Sequence, residues 1–276
     1  MKKYFLPTIV KKYNKIAIVV LLGISIVALG MFVLSKVVTD KSDFVVVRVK
    51  GSPGNWWWVT PRPPDWLVSS IHVGDKEYSS LNKPTAEVLD LNIYDAGGST
   101  KDLYMYVRLA AKKNRQTGKY RYKGENLEIG GPINLSLNNV LVPGMVTEIH
   151  EGSSIPQKTF LWKTVTVRMF DKWPWEYDAI TIGEVMTDGV NTIAEIVDKT
   201  FVPSPREPYT YTGQLLAAGS PIQQDFILTL KIRVEPRGSD TIFREEQYVK
   251  LGNGLWIQFP SYNVSGGIIT AIHEIL

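Results

Sequence analysis

Residues 267 to 274, Gly-Ile-Ile-Thr-Ala-Ile-His-Glu, restate residues 144 to 151, Gly-Met-Val-Thr-Glu-Ile-His-Glu. Gly, Thr, Ile, His and Glu match in place, and Val146 faces Ile269. Other blocks pair in the same order. Val47-Arg48 pairs with Val167-Arg168, and Ile71-His72-Val73-Gly74-Asp75 with Ile180-Thr181-Ile182-Gly183-Glu184. Ala86-Glu87-Val88-Leu89-Asp90 pairs with Ala194-Glu195-Ile196-Val197-Asp198, and Val107-Arg108-Leu109 with Ile232-Arg233-Val234. Gly130, Ile133, Leu135 and Val140 pair with Gly254, Ile257, Phe259 and Val264. One short match is chance; a series in constant order is a tandem duplication. Two similar units are expected, at 44–151 and 164–276, joined by 152–163, where Gly152, Ser153, Ser154 and Pro156 are linker chemistry.

Most blocks read as strands. Phe44 to Val49 is β-branched, Ile133 to Leu137 alternates strictly, and Leu103 to Leu109 and Phe226 to Val234 alternate or run apolar over strand length. Gly97-Gly98, Gly130-Gly131, Pro143-Gly144 and Gly266-Gly267 punctuate them as turns or bulges. Asn191 to Lys199 also fits a short helix, although its partner block is equally good strand. The expected fold is mainly β: an N-terminal transmembrane helix followed by two tandem, similar, small β-barrel-like domains of six or seven strands each. Closure into a barrel would hide the sheet edges.

The chain has no cysteine among its 276 residues, so disulfides and thiolate chemistry are excluded. Its formal net charge of +4 suggests nucleic acid, but the excess lies in one place. Residues 1–38 carry Lys2, Lys3, Lys11, Lys12, Lys15 and Lys36 and no acid; the rest holds 25 basic against 27 acidic residues. No cationic surplus remains to hold phosphates, and no nucleic-acid partner is expected. Ile16 to Leu34 is 19 residues without a charge, enough helix for a bilayer core at about 1.5 Å per residue. Five lysines before it place 1–15 in the cytoplasm as a basic tail, 16–38 in the membrane as an anchor into the lipid bilayer, and the C-terminal domains outside. The alternative is a cleaved leader with Ala28 and Gly30 at the cleavage site, but Met31-Phe32-Val33-Leu34 continues the apolar run.

Three patterns bear a family resemblance: Ile71-x-Val73-Gly74-Asp75, the Glu87-Val88 block, and Leu127-x-Ile129-Gly130-x-Pro132-Ile133 followed by Gly144-x-Val146. With the anchor, the whole chain resembles the bacterial single-anchor membrane proteins grouped as domain of unknown function 4330, with the domain doubled. The resemblance implies an anchored extracytoplasmic β-domain and no particular activity. Gly131-Pro132-Ile133 and Gly144-Met145-Val146 are also similar to the mammalian-cell-entry domains of lipid transport systems, which would imply lipid handling.

No residue is expected to be catalytic or to hold a metal, and no cofactor is expected. His150-Glu151 and His273-Glu274 are repeated pairs, but a metal site needs three or four converging ligands, and neighbours on a strand point to opposite faces. Ser80-x-x-Lys83 has the spacing of a serine acyltransferase motif, yet Asn82-Lys83-Pro84 is loop sequence. Tryptophan is the unusual feature. Trp56, Trp57, Trp58 and Trp66 lie in a proline-rich loop of the first unit; Trp173 and Trp175 lie at the equivalent place in the second. They either plug barrel ends or contact the membrane interface, a glycan or a partner protein. Leu34 to Trp56 spans at most about 75 Å, which keeps the first cluster near the bilayer. The expected function is a non-catalytic structural or adaptor role in the cell envelope, with an envelope protein or a second copy of the chain as partner. Lipid handling is the alternative, and an envelope hydrolase the third.

Overall fold

The computed structural model describes residues 21–29, 31, 43–52, 61–138, 140–205, 208–211, 214–217 and 222–274. Residues 21–29 and 31 are helical and exposed. Among the described residues no helix is long and apolar enough to cross a membrane, and the rest of the 16–38 run lies outside them.

From Phe44 onward the chain is one compact unit built mainly of strands. The first half holds β1 (Asp43–Gly51), β2 (Lys76–Tyr78), β3 (Pro84–Asp95), β4 (Lys101–Lys113), β5 (Tyr120–Tyr122), β6 (Glu125–Asn126), β7 (Pro132–Leu137) and β8 (Val140–Glu151). The second holds β9 (Leu161–Lys172), β10 (Val185–Thr187), β11 (Thr192–Pro203), β12 (Pro208–Tyr211), β13 (Gln214–Ala217), β14 (Gln224–Arg237), β15 (Asp240–Phe243), β16 (Gln247–Tyr248), β17 (Gly254–Gln258) and β18 (Asn263–Glu274). Two eight-stranded antiparallel sheets result, ordered β2-β3-β4-β1-β8-β7 and β10-β11-β14-β9-β18-β17, with β5–β6 and β15–β16 as hairpins off β4 and β14. The two orders are the same order twice. Each sheet thus has eight strands rather than six or seven, because the short hairpins add two. Asn191 to Lys199 falls largely on strand β11, not a helix. β9 starts at Leu161, three residues inside the segment read as linker.

Each sheet curls until its end strands meet. In the first, Asn138 N donates to Lys76 O at 2.9 Å and Asn138 Nδ2 to Asp75 Oδ1 at 2.6 Å. In the second, Ser261 N donates to Glu184 Oε1 at 2.7 Å. Asp75 and Glu184 are the equivalent acids in the two copies. Gly74 and Gly183 precede them at φ +92° and +84°, a left-handed backbone that glycine takes without penalty. Their N–H groups reach Val88 O and Ile196 O, both at 2.8 Å.

The copies also share a β-bulge. Thr147 is skipped in the β1–β8 register and its Oγ1 donates to Arg48 O; Thr270 is skipped in the β9–β18 register and its Oγ1 donates to Thr166 O. These pairings make Val49 the counterpart of Val167, and Arg48 the counterpart of Thr166. The sequence alignment had set Arg48 against Arg168, two residues off. The same two-residue slip affects Val107, whose counterpart is Leu230 rather than Ile232, and Gly130, whose counterpart is Gly252. Gly130 N donates to Val146 O and Gly252 N to Ile269 O. A slip of two keeps each side chain on its own face, so apolar patterning cannot detect it.

Both barrels are packed solid inside. Val45, Val47, Val49, Leu103, Met105, Val107 and Leu135 fill the first; Val165, Val167, Phe226, Leu228, Leu230, Ile257 and Phe259 fill the second. Each such side chain contributes roughly 1.5–3 kcal/mol on burial. Gly144 and Gly267 face the counterparts Val49 and Val167; a Cβ on either glycine would overlap that valine's Cγ1.

Candidate functional site

The barrels meet through the outer face of the first and a hairpin of the second. On the first, β1, β3 and β4 present Arg48, Lys50, Asn92, Tyr94, Asp102, Tyr104 and Tyr106 outward. Tyr94 and Tyr104 are buried there among the core residues of the second barrel. The second barrel delivers Arg244, Glu245 and Glu246 from the β15–β16 turn. Arg48 Nη2 donates to Glu245 Oε1 at 2.6 Å and to Asn92 Oδ1 at 2.7 Å. Lys50 pairs with Glu246, and the Tyr104 hydroxyl donates to the same carboxylate at 2.5 Å. Arg244 Nη2 donates to Asp102 Oδ2 and to Asp95 O, both at 3.0 Å. Lys158, from the segment joining the barrels, lies 3.1 Å from Glu245, 3.0 Å from Glu235 and 3.7 Å from Glu148.

This hairpin turn carries strain. Arg244 and Glu245 sit at φ +52° and +69°, a left-handed conformation that costs a non-glycine residue about 1 kcal/mol or more. The first barrel's equivalent turn uses Lys123-Gly124 and is one residue shorter. The ion pairs of Glu245 hold the conformation in place. Burial alone would lower the Arg48 pKa, but Glu245 leads the charges that raise it above its ordinary value. For Glu246, burial pushes the carboxyl up, and hydrogen bonds from Lys50 and Tyr104 outweigh it, holding the pKa below the usual range.

Beside this junction lies a cleft of about 240 Å³. Asp90, Tyr106, Lys158, Asp188, Arg233 and Glu245 supply its polar wall; Ile155, Phe160, Val190, Ile193 and Ile242 its apolar one. Asp188 is buried, its Oδ1 accepting from Val190 N at 3.1 Å and Asn191 N at 2.7 Å. Arg233 lies 3.7 Å from Asp188 and stacks on Phe160 with 3.9 Å between guanidinium carbon and ring centre. Burial raises the Asp90 pKa, with Asp188 adding to it, against the Leu91 amide and Arg48. Tyr106 is cross-strand partner to Asp90 and only 2% exposed, and its hydroxyl has no partner among the described residues.

Trp66, Trp173 and Trp175 are not in this cleft. Trp66 stands 70% exposed on the helical turn Asp65–Val68, and Trp175 68% exposed on the short helix Pro174–Ala179. Trp173, 39% exposed, caps that helix: its N–H donates to Glu176 Oε1 at 3.0 Å. Proline there starts short helices where loops were expected, since a missing N–H is harmless in a first turn. Val68, Ile71 and Ile180 pack into the cores instead of these rings. Trp56, Trp57 and Trp58 lie outside the described residues.

His150 Nε2 lies 2.8 Å from Glu148, while Glu151 pairs with Lys113, so the His150-Glu151 pair does not converge. Ser80 and Lys83 lie in the turn between β2 and β3, where Ser79 N donates to Lys83 O. Among the described residues no group of three His, Cys, Asp or Glu could hold a metal ion. Sequence reasoning missed Arg48, Glu245, Asp90 and Tyr106. Their signal was the charged trio 244–246 in a turn that its copy closes with glycine. Comparison with protein-family models, curated proteins and solved structures finds no match for this chain.

Proposed function

We propose that the chain is a single-pass cell-envelope protein whose two barrels stand outside the membrane and bind a partner without catalysis. The observation that carries this reading is the cleft between the barrels. Its carboxylates are set against apolar walls, and most of its cations are held by ion pairs. Binding clefts have that mixed lining, with a few placed polar groups. A hydrolase would need a wet, apolar-poor cluster of carboxylates. Lipid handling through a barrel lumen finds little support, because both interiors are filled with side chains. The uncharged run Ile16 to Leu34 and the five lysines before it support the anchor and the orientation. The resemblance to the single-anchor family supports the same placement. Exposed Trp66 and Trp175 suit contact with an envelope protein, a second copy or lipid headgroups, and Trp56, Trp57 and Trp58 are proposed to share that role.

The test is topology. Protease added to intact cells stripped of their outer layers should digest residues 40–276 and spare a short N-terminal fragment. Protection of the barrels would overturn the proposal.

A further inference from the structure

We propose that the cleft between the barrels binds an uncharged, hydroxyl-rich ligand, a sugar residue, on the cross-strand pair Asp90 and Tyr106. This rests on the non-catalytic binding role above. Asp90 and Tyr106 face each other across β3 and β4, so both side chains rise from the same face of the sheet. Tyr106 lines the cleft with a hydroxyl that is out of water and has no partner among the described residues. Asp90 accepts the Leu91 amide and no side-chain donor among them. Asn92, beside them, spends Oδ1 on Arg48 and leaves Nδ2 to donate. The free groups beside this pair are therefore one carboxylate acceptor, one hydroxyl and one amide donor. On the far wall Arg244 Nε also has no partner among the described residues, although its Nη2 is held by Asp102.

The other charges decide the ligand class. Lys158 is held by Glu235 and Glu245, Arg244 by Asp102, and Arg233 lies against Asp188 and Phe160. An anion would have to break these pairs. An ammonium ion would approach Tyr106 with the Arg48 guanidinium already 4.3 Å from the ring centre and Lys158 Nζ 6.0 Å from it. A neutral hydroxyl avoids both penalties, because it donates to Asp90 and accepts from Tyr106 or Asn92 at once. Phe160, still 40% exposed, with Ile155 and Ile193 offers an apolar surface to the C–H face of a sugar ring. The volume of about 240 Å³ falls below the roughly 300–1,000 Å³ of pockets for larger ligands, which suits one ring rather than a chain.

The test uses the full chain in a detergent without a sugar headgroup. Saturation-transfer NMR is run with glucose and N-acetylglucosamine, and separately with putrescine; inorganic phosphate, which has no carbon-bound proton, is followed by broadening of its phosphorus resonance. The expected result is binding of at least one sugar in the millimolar range, weakened at least fivefold by Asp90→Asn and by Tyr106→Phe, and unchanged by Trp66→Ser. Both cleft substitutions keep side-chain shape, and unchanged thermal melting to within a few degrees shows that the fold persists. Absence of sugar binding overturns the proposal, as does binding that survives Asp90→Asn, or binding of phosphate or putrescine in place of sugar. Purified protein reports this result whichever way the chain faces in the membrane, so it fails separately from the topology.

Discussion

Arg48 of the first barrel and Glu245 of the second form an ion pair at 2.6 Å, with side chains 1% and 9% exposed. Removing either partner leaves the other charge short of water. Glu245→Ala should destabilise the protein by roughly 3–5 kcal/mol in urea unfolding of the full chain. Glu245→Gly should cost about 1 kcal/mol less, because glycine relieves the left-handed backbone. Equal losses for Ala and Gly would refute the strain; a loss below 1 kcal/mol for both would refute the pair.

Glu77 and Tyr122 form a buried polar pair in the first barrel, at 3.1 Å, where the second has Met186 and Phe243. Ser136 N also donates to Glu77 at 3.0 Å, and Lys123 lies 2.5 Å from it. Tyr122→Phe alone should cost about 1 kcal/mol, and Glu77→Met alone more, since it also strands the amide of Ser136. The double substitution should cost less than the two singles summed, because each removes the other's lost partner. Additive losses in a double-mutant cycle would count against it.

Gly144→Ala and Gly267→Ala place a methyl on Cγ1 of Val49 and Val167. Each should destabilise by about 1–3 kcal/mol. Adding Val49→Ala to Gly144→Ala should restore part of that loss, and adding Val167→Ala should not. Rescue by the wrong valine in thermal melts would show that the clash is misplaced.

Acid should act on three carboxyls with two signs. Burial pushes Asp225 up, but Ser204, the Asp171 amide and Arg168 outweigh it, so its folded pKa lies below the ordinary value. Glu246 is depressed as well. Both stabilise fully above the unfolded carboxylate range near about pH 4 and lose that contribution as pH falls through the folded values. Asp90 is raised by burial, so its charge opposes folding at neutral pH and that opposition fades as pH falls through its folded value. Asp90→Asn should raise the melting temperature at pH 7 by a few degrees and give no gain near pH 3. Asp225→Asn should lower it at pH 7, and that penalty should shrink only as pH falls below the ordinary carboxylate range toward the depressed folded value. Melting curves between those limits decide both.

The duplication was legible because Gly144, Val146, Ile149 and their counterparts repeat at constant spacing, and the β class because runs such as Ile133 to Leu137 alternate with the strand period. The register was not. A two-residue slip preserves faces, and only the bulges at Thr147 and Thr270 fix it. That slip hid the departure of Arg48 from its true counterpart Thr166, the best sequence sign of the junction. Tyr104 and Tyr106 read as ordinary amphipathic strand residues, since nothing local says that their outer face is covered. Asp90 is invisible for the same reason: the Asp188 loop that faces it comes from a distant segment. The exposure of Trp66 and Trp175 could not be read from proline placement, which fits a loop and a first helical turn alike.

In the second barrel Arg168 holds Asp225 with bonds of 3.0 and 2.6 Å. Their counterparts in the first are Lys50 and Asp102, which reach instead for Glu246 and Arg244 across the junction. The same two positions thus serve as an open socket in one copy and a closed one in the other. The array has a direction: a third barrel added behind the second would bring its charged turn to a face whose acid and base already satisfy each other.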